Sequence, residues 1–126
     1  MIKFRAWNGY RKIMADYVSA IQNGDTQGTP SSVNVIVDGK NETWDIKNDD
    51  VELLQFTGLT DMNGKDIYEG DILENRKYRS IVKFASGKFL ADVVGTINKF
   101  DLIGETHGSK VIGNVHENPE LLEDNE

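Results

Sequence analysis

Four dipeptides with strong turn preference, Asn8-Gly9, Asp38-Gly39, Asn63-Gly64 and Ser86-Gly87, punctuate this chain and set the length of the segments between them. Those segments are short and carry strand patterns. Residues 2–7, IKFRAW, alternate apolar and basic side chains, the period-two mark of a half-buried strand. Val33 to Val37 is β-branched, and Glu42 to Ile46 returns beyond the Asp38–Asn41 turn as its hairpin partner, with Trp44 as anchor. Lys47 to Asp50 is a polar connector. Tyr78–Ala85 and Lys88–Val94 flank Ser86-Gly87 as a second hairpin, and Asp71–Leu73, Leu102–Gly104 and Lys110–Val115 read as further strands. Asn23 to Ser32 reads as a loop, Gly95–Asp101 as a brief turn or one helical turn, and Asn118–Leu122 as one capped helical turn. In residues 12–22, KIMADYVSAIQ, the apolar side chains fall at helical spacing but no clear N-cap precedes them, so helix and strand stay open. Many short strands with turn signals every roughly eight to twelve residues predict a mainly β chain, a small barrel rather than an α/β layer fold.

The composition supports a folded protein without staples. Eleven aromatics within 38% hydrophobic content are enough for a core, and 28% charged residues argue against disorder. The absence of cysteine excludes disulfides, thiolate nucleophiles and cysteine-ligated zinc. No apolar run approaches the roughly 20 residues of a membrane span, and Arg5 interrupts the only candidate for a signal segment. A cytoplasmic protein with no membrane partner is the expectation. The net charge of −7 is segregated: +4 over residues 1–12, −8 over 38–74, +5 over 75–88 and −6 over 101–126. Overall acidity disfavours generic nucleic-acid binding, and the basic blocks are expected to neutralise acidic ones across the folded surface.

Leu53 to Leu73, LLQFTGLTDMNGKDIYEGDIL, is the stretch richest in candidate ligands. Asp61, Asn63, Asp66, Glu69 and Asp71 invite a calcium reading, but an EF-hand loop needs ligands at positions 1, 3 and 5 and glycine at 6. Counted from Asp61, glycine arrives at position 4 and Lys65 occupies position 5, so the motif fails. Turn chemistry explains the stretch better: Asn63-Gly64 fills a turn, Asp71 bonds local amides, and Gly70 marks a positive φ or a close approach. Glu69 and Asp71 alternate with Gly70 on what reads as an exposed bend, so the burial that an acid/base pair requires is not expected. His107 and His116 are separated by a spacing that fits no metal motif and read as turn residues. Neither a G-x-S-x-G elbow nor a glycine-rich phosphate loop occurs. Trp7, Phe56, Phe84 and Phe89 are read as core rather than as a ligand groove. The best contact candidate is Arg76, Lys77, Tyr78 and Arg79, with Lys83 and Phe84 beyond, where cations interleave with an aromatic. The competing reading is a solvated loop whose charges protect a hairpin edge.

Three blocks together, IKFRAW at residues 2–7, the central LLQFTGLTDMNGKDIYEGDIL and the closing VIGNVHENPELL at 111–122, resemble the YopX family of small phage and prophage proteins. The resemblance implies a phage-encoded accessory protein of unassigned biochemical function. It implies an SH3-like β-barrel over residues 51–122, preceded by a β-rich section over 1–50 and followed by an acidic tail at 123–126. It also treats the segment around Met14–Ile21 as extended, and it carries no catalytic or binding residues over to this chain. The expectation is therefore a non-enzymatic protein without cofactor or metal that binds another protein, of host or phage. The alternative is a nucleic-acid-associated module using the Arg76–Lys83 and Lys3–Lys12 blocks. An exposed barrel edge would permit homo-oligomers.

Overall fold

The structure is a computed structural model and describes residues 3–23 and 30–123. The chain divides into two compact units, Met1–Gln55 and Phe56–Glu126, so the division falls within one long strand.

In the first unit β1 (Phe4–Asn8) pairs antiparallel with β2 (Ile13–Ala15) on one side and with the start of β6 (Val51–Thr60) on the other. The turn between β1 and β2 is organised by Asn8, whose buried side-chain Oδ1 accepts from the amides of Tyr10 and Arg11 at 3.1 and 2.8 Å. A second sheet runs in the order β3 (Tyr17–Asn23), β4 (Pro30–Val37), β5 (Lys40–Asp45). The segment from residue 12 to 22 is thus strand rather than helix over Ile13–Ala15 and from Tyr17 on, with Lys12 in the preceding turn at φ 60° and a bend at Asp16. Of the expected loop, Asn23 closes β3 and residues 30–32 open β4, while 24–29 lie outside the described residues. The β4–β5 turn holds Asp38 and Gly39 at φ of 50° and 79°, the mirror-image geometry that matches strand twist. The core gathers Ala6, Ala15, Val33, Val35 and Trp44, with Ile13, Val18, Ile46 and Leu53 packed against it.

In the second unit the end of β6 pairs with β7 (Asp66–Tyr68). A five-stranded antiparallel sheet follows in the order β11 (Lys99–Asp101), β10 (Lys88–Val93), β9 (Arg79–Ala85), β8 (Asp71–Glu74), β12 (Lys110–Asn114). The apolar run at Leu53–Phe56 does not end at Gly58. The strand carries on to Thr60 through a register shift, bridged by Thr57 Oγ1, which donates to the Ile67 carbonyl at 2.8 Å. Ile67, Leu73, Val82, Ala91 and Leu102 form the core, with Leu59, Phe89 and Val111 beside it. Of the aromatics read as core, Trp7 is buried, Phe56 lies against Tyr68, and the edge-to-face pair Phe84–Phe89 is only half covered.

Gly70 sits where the backbone is needed on both sides. At φ 87° its amide donates to the Val82 carbonyl at 2.8 Å and its carbonyl accepts from Val115 at 2.9 Å. The next residue, Asp71, is buried and accepts from the Tyr68 amide at 2.8 Å. The EGDIL segment therefore ties β7, β9 and the end of β12 to one bend.

Two expectations are corrected. Leu102–Gly104 is a 3-10 turn, not a strand, because Leu102 drops into the core and the Glu105 amide closes back on its carbonyl at 2.8 Å. The turn at Pro119–Leu122 forms, but Asn118 does not cap it with its side chain. The Asn118 Oδ1 instead accepts from the Asn114 amide at 3.2 Å, and buried Asn114 Oδ1 accepts from His116 and Glu117 at 3.0 and 2.8 Å. A Cβ at Gly113 would come within 2.5 Å of that Asn118 oxygen. Gly113→Ala is therefore expected to cost about 1–3 kcal/mol through overpacking, measurable as a lowered denaturation midpoint in urea. An unchanged midpoint would show that Asn118 swings away freely.

Candidate functional site

The +5 block, which runs from the β8–β9 turn through β9 to the start of β10, splits into two sets of side chains. Arg79 Nε lies 2.9 Å from Glu74 Oε2, and its Nη1 donates to the Leu121 carbonyl at 2.9 Å. Lys83 Nζ reaches Asp92 Oδ2 at 2.7 Å, and Lys88 reaches Asp101 at 2.7 Å. The Tyr78 hydroxyl donates to Glu105 and its ring stacks on Phe100, with centroids 5.9 Å apart. That bond to Glu105, with partial burial, holds the phenol above its ordinary range. Of the five expected contact residues, Tyr78, Arg79 and Lys83 thus serve the fold. Arg76 and Lys77 remain exposed, their side chains with no hydrogen bond or ion pair among the described residues. They stand on the β8–β9 turn, where Asn75 Oδ1 accepts from the Lys77 and Tyr78 amides at 2.8 and 2.9 Å.

The N-terminal basic block is also used locally. Arg11 Nη1 meets Glu42 Oε1 at 2.6 Å, and the same oxygen accepts from Trp44 Nε1 at 3.0 Å. The Trp44 and Arg11 bonds hold the Glu42 carboxyl below its ordinary range. Basic and acidic blocks neutralise each other in these pairs.

Arg76 forms part of a polar groove of about 490 Å³, whose wall also includes Met62, Asn63, Glu74, Asn75, Gly108 and Lys110. Three turns build it: 61–65, 74–78 and 106–110. Asp61 fastens the first to the third. Its buried carboxylate receives the Asn63 and Lys65 amides on Oδ1 at 2.8 and 2.9 Å and the Val111 amide on Oδ2 at 2.9 Å. Burial opposes the charge, but the three amides outweigh it and hold the group below its ordinary range. The Met62 amide also donates to the Ser109 carbonyl at 3.0 Å. The groove is rich in donors: the Arg76 guanidinium, the Lys110 ammonium and the side-chain amides of Asn63 and Asn75. Its carboxylate, Glu74, is already held by Arg79 and lies 4.0 Å from Lys110. Met62, 56% exposed, offers apolar surface at the rim.

Sequence reading missed Met62, Asn63, Asn75, Gly108 and Lys110 as a set, because they come from turns far apart in the chain. The one available signal was Lys110, the sole lysine or arginine in the acidic block at residues 101–126. Asp61 and Asp71, read first as metal ligands, spend their oxygens on backbone amides. His107 is exposed beside a neighbouring shallow depression with Thr106 and Met62, whereas His116 sits half-buried in the Asn114 turn. Among the described residues no group of three or more acidic or histidine side chains is placed to hold a metal ion.

A mainly antiparallel-β chain in three sheets, with a loop-built polar groove in the second unit, is the class these features define. The family model described as YopX protein matches residues 3–123, and the chain belongs to that family. The solved structure of protein EF1440 from Enterococcus faecalis is 30% identical over 98% of this chain and 99% of its own, with a TM-score of 0.68. That of protein YopX from Bacillus subtilis is 22% identical, covers 98% of each chain and has a TM-score of 0.65, a likeness of fold. Among curated proteins no relative matches the chain. No helix among the described residues is long and apolar enough to cross a membrane.

Proposed function

We propose that this chain is a non-catalytic protein-binding module, a phage or prophage accessory protein acting in the host cytoplasm. In this reading the second unit is an SH3-like barrel, and the turns 61–65, 74–78 and 106–110 are its contact loops. The observation that carries the reading is the groove itself. It brings Arg76 and Lys110 together beside an exposed methionine, while Arg79, Lys83 and Lys88 of the basic block are held in internal pairs. Arginine and methionine are enriched where proteins meet.

The nucleic-acid reading loses support from the same pairs. Tyr78 is not free to stack a base, and Arg79 and Lys83 already have carboxylate partners. Affinity capture from host cells after nuclease treatment tests the choice. A partner protein is expected on the wild-type chain and is expected to fall by about tenfold with Arg76→Glu, an exposed change that leaves melting unaltered. Capture that ignores Arg76→Glu would sink the groove as the contact surface. Retention on single- or double-stranded nucleic acid that weakens steeply with salt would favour the alternative.

A further inference from the structure

Resting on the protein-binding reading, we propose that the groove between turns 61–65, 74–78 and 106–110 takes an extended acidic peptide segment. A peptide carboxylate would lie between Arg76 and Lys110, and an apolar side chain beside it would lie on Met62. Four kinds of observation converge on that ligand class. First, the hydrogen-bonding side chains are donors with few acceptors: the Arg76 fork, the Lys110 ammonium and the amides of Asn63 and Asn75. Asn75 Oδ1 is consumed by two backbone amides, so its NH2 is what remains for a ligand. The fitting ligand is therefore acceptor-rich. Second, Arg76 and Lys77 lack carboxylate partners among the described residues, unlike Arg79, Lys83 and Lys88. An incoming carboxylate would meet Arg76, whose charge no internal bridge among the described residues has spent, and Lys110, whose contact with the Glu74 carboxylate is long at 4.0 Å.

Third, Glu74 stands in the groove wall. A nucleic-acid strand, with a phosphate at every nucleotide, would have to pass a charge close to that carboxylate. A peptide can place an isolated acid at Arg76 and a neutral residue at Glu74. The chain's net charge of −7 adds to the penalty on a polyphosphate. Fourth, Met62 is 56% exposed at the rim, and a flexible thioether accepts varied apolar partners. Asp61 makes the platform rigid from below through its three amide bonds. The turn bearing Met62 and Asn63 is thus set before any ligand arrives.

Fluorescence anisotropy of the intact chain tests the inference with three probes: a labelled peptide of mixed glutamate and leucine, its twin with glutamine for every glutamate, and oligothymidylate. The acidic peptide is expected to bind, and its twin to bind at least about tenfold more weakly. Arg76→Glu and Lys110→Glu are each expected to cost a similar factor, while Lys99→Glu, exposed on β11, changes nothing. Affinity should fall as salt rises to roughly 0.3 M, because the contact is charged and open to solvent. Equal binding of the two peptides, or no binding of either, overturns the inference. So does tighter binding of oligothymidylate. If a variant fails to fold, the comparison of the peptide twins still decides, since it needs no substitution. Should partner capture depend on Arg76 while the acidic peptide fails to bind, the ligand class falls and the binding-module reading stands. Should capture and peptide binding both ignore Arg76→Glu, the reading falls with it.

Discussion

Replacing Asp61 by alanine is expected to destabilise the second unit by about 3–5 kcal/mol, although no core side chain is touched. The carboxylate is the acceptor for the amides of Asn63, Lys65 and Val111. Bonds to a charged acceptor contribute roughly 1.5–3 kcal/mol each, and a buried donor left unpaired costs a comparable amount. The turn residues Asn63 and Lys65 are exposed, so their amides can turn to water, and the full sum of three is not expected. Val111 is half-buried and has the most to lose. Asp61→Asn should recover only part of the loss: one carbonyl oxygen replaces two, and the new NH2 confronts an N–H. The same geometry predicts a pH dependence. The folded-state value of Asp61 is depressed, so the stability it contributes is present above the unfolded-chain value near ~3.9. It is lost as the pH falls from there through the lower folded value. Urea denaturation followed from pH 6 down to pH 2, values within the ordinary working range of about 2 to 8, should fall more steeply for the wild type than for Asp61→Asn. Parallel profiles would show that the amide cluster does not control the group.

How far such features can be read from sequence depends on how local their cause is. Ser86-Gly87 fixes a two-residue turn, and the turn fixes the register: Lys83 falls opposite Leu90 and diagonal to Asp92. The Lys83–Asp92 pair was therefore implicit in the hairpin, and with it the reading that the basic block protects rather than binds. Gly70 was legible because a positive φ has few residue solutions. Leu102–Gly104 was not, because three residues of apolar and small character suit a strand or a turn equally. What decides between them is the buried place waiting for Leu102. Gly58 is ambiguous for a related reason, since a glycine in a strand marks a shift of register as readily as an end. The groove lay furthest from sequence. Asn63, Asn75 and Lys110 meet through β8–β12 pairing and through bonds such as Asp61 to Val111, which spans fifty residues and which no local pattern announces.

Trp44→Ala is expected to remove about 3–5 kcal/mol from the first unit, a large part of the roughly 5–15 kcal/mol that holds a domain folded. Trp44 is 2% exposed and packs with Ala6, Ala15, Val33 and Val35, side chains too small to collapse into the space it would leave. Its indole N–H also donates to Glu42, the acceptor shared with Arg11. Trp44→Phe keeps most of the volume and deletes the donor, so it should cost less than half as much as alanine. The two cores have no residue in common, since Ile67, Leu73, Val82, Ala91 and Leu102 make up the second. Amide hydrogen exchange can therefore separate them. In Trp44→Ala, protection at Val33 and Val35 should collapse while that at Val82 and Ala91 persists. Simultaneous loss at all four positions would mean that β6, which begins in one unit and ends in the other, couples them into a single cooperative fold. The groove would then depend on a tryptophan in the other unit, and binding through Arg76 would fail in Trp44→Ala without any change to the groove's own residues.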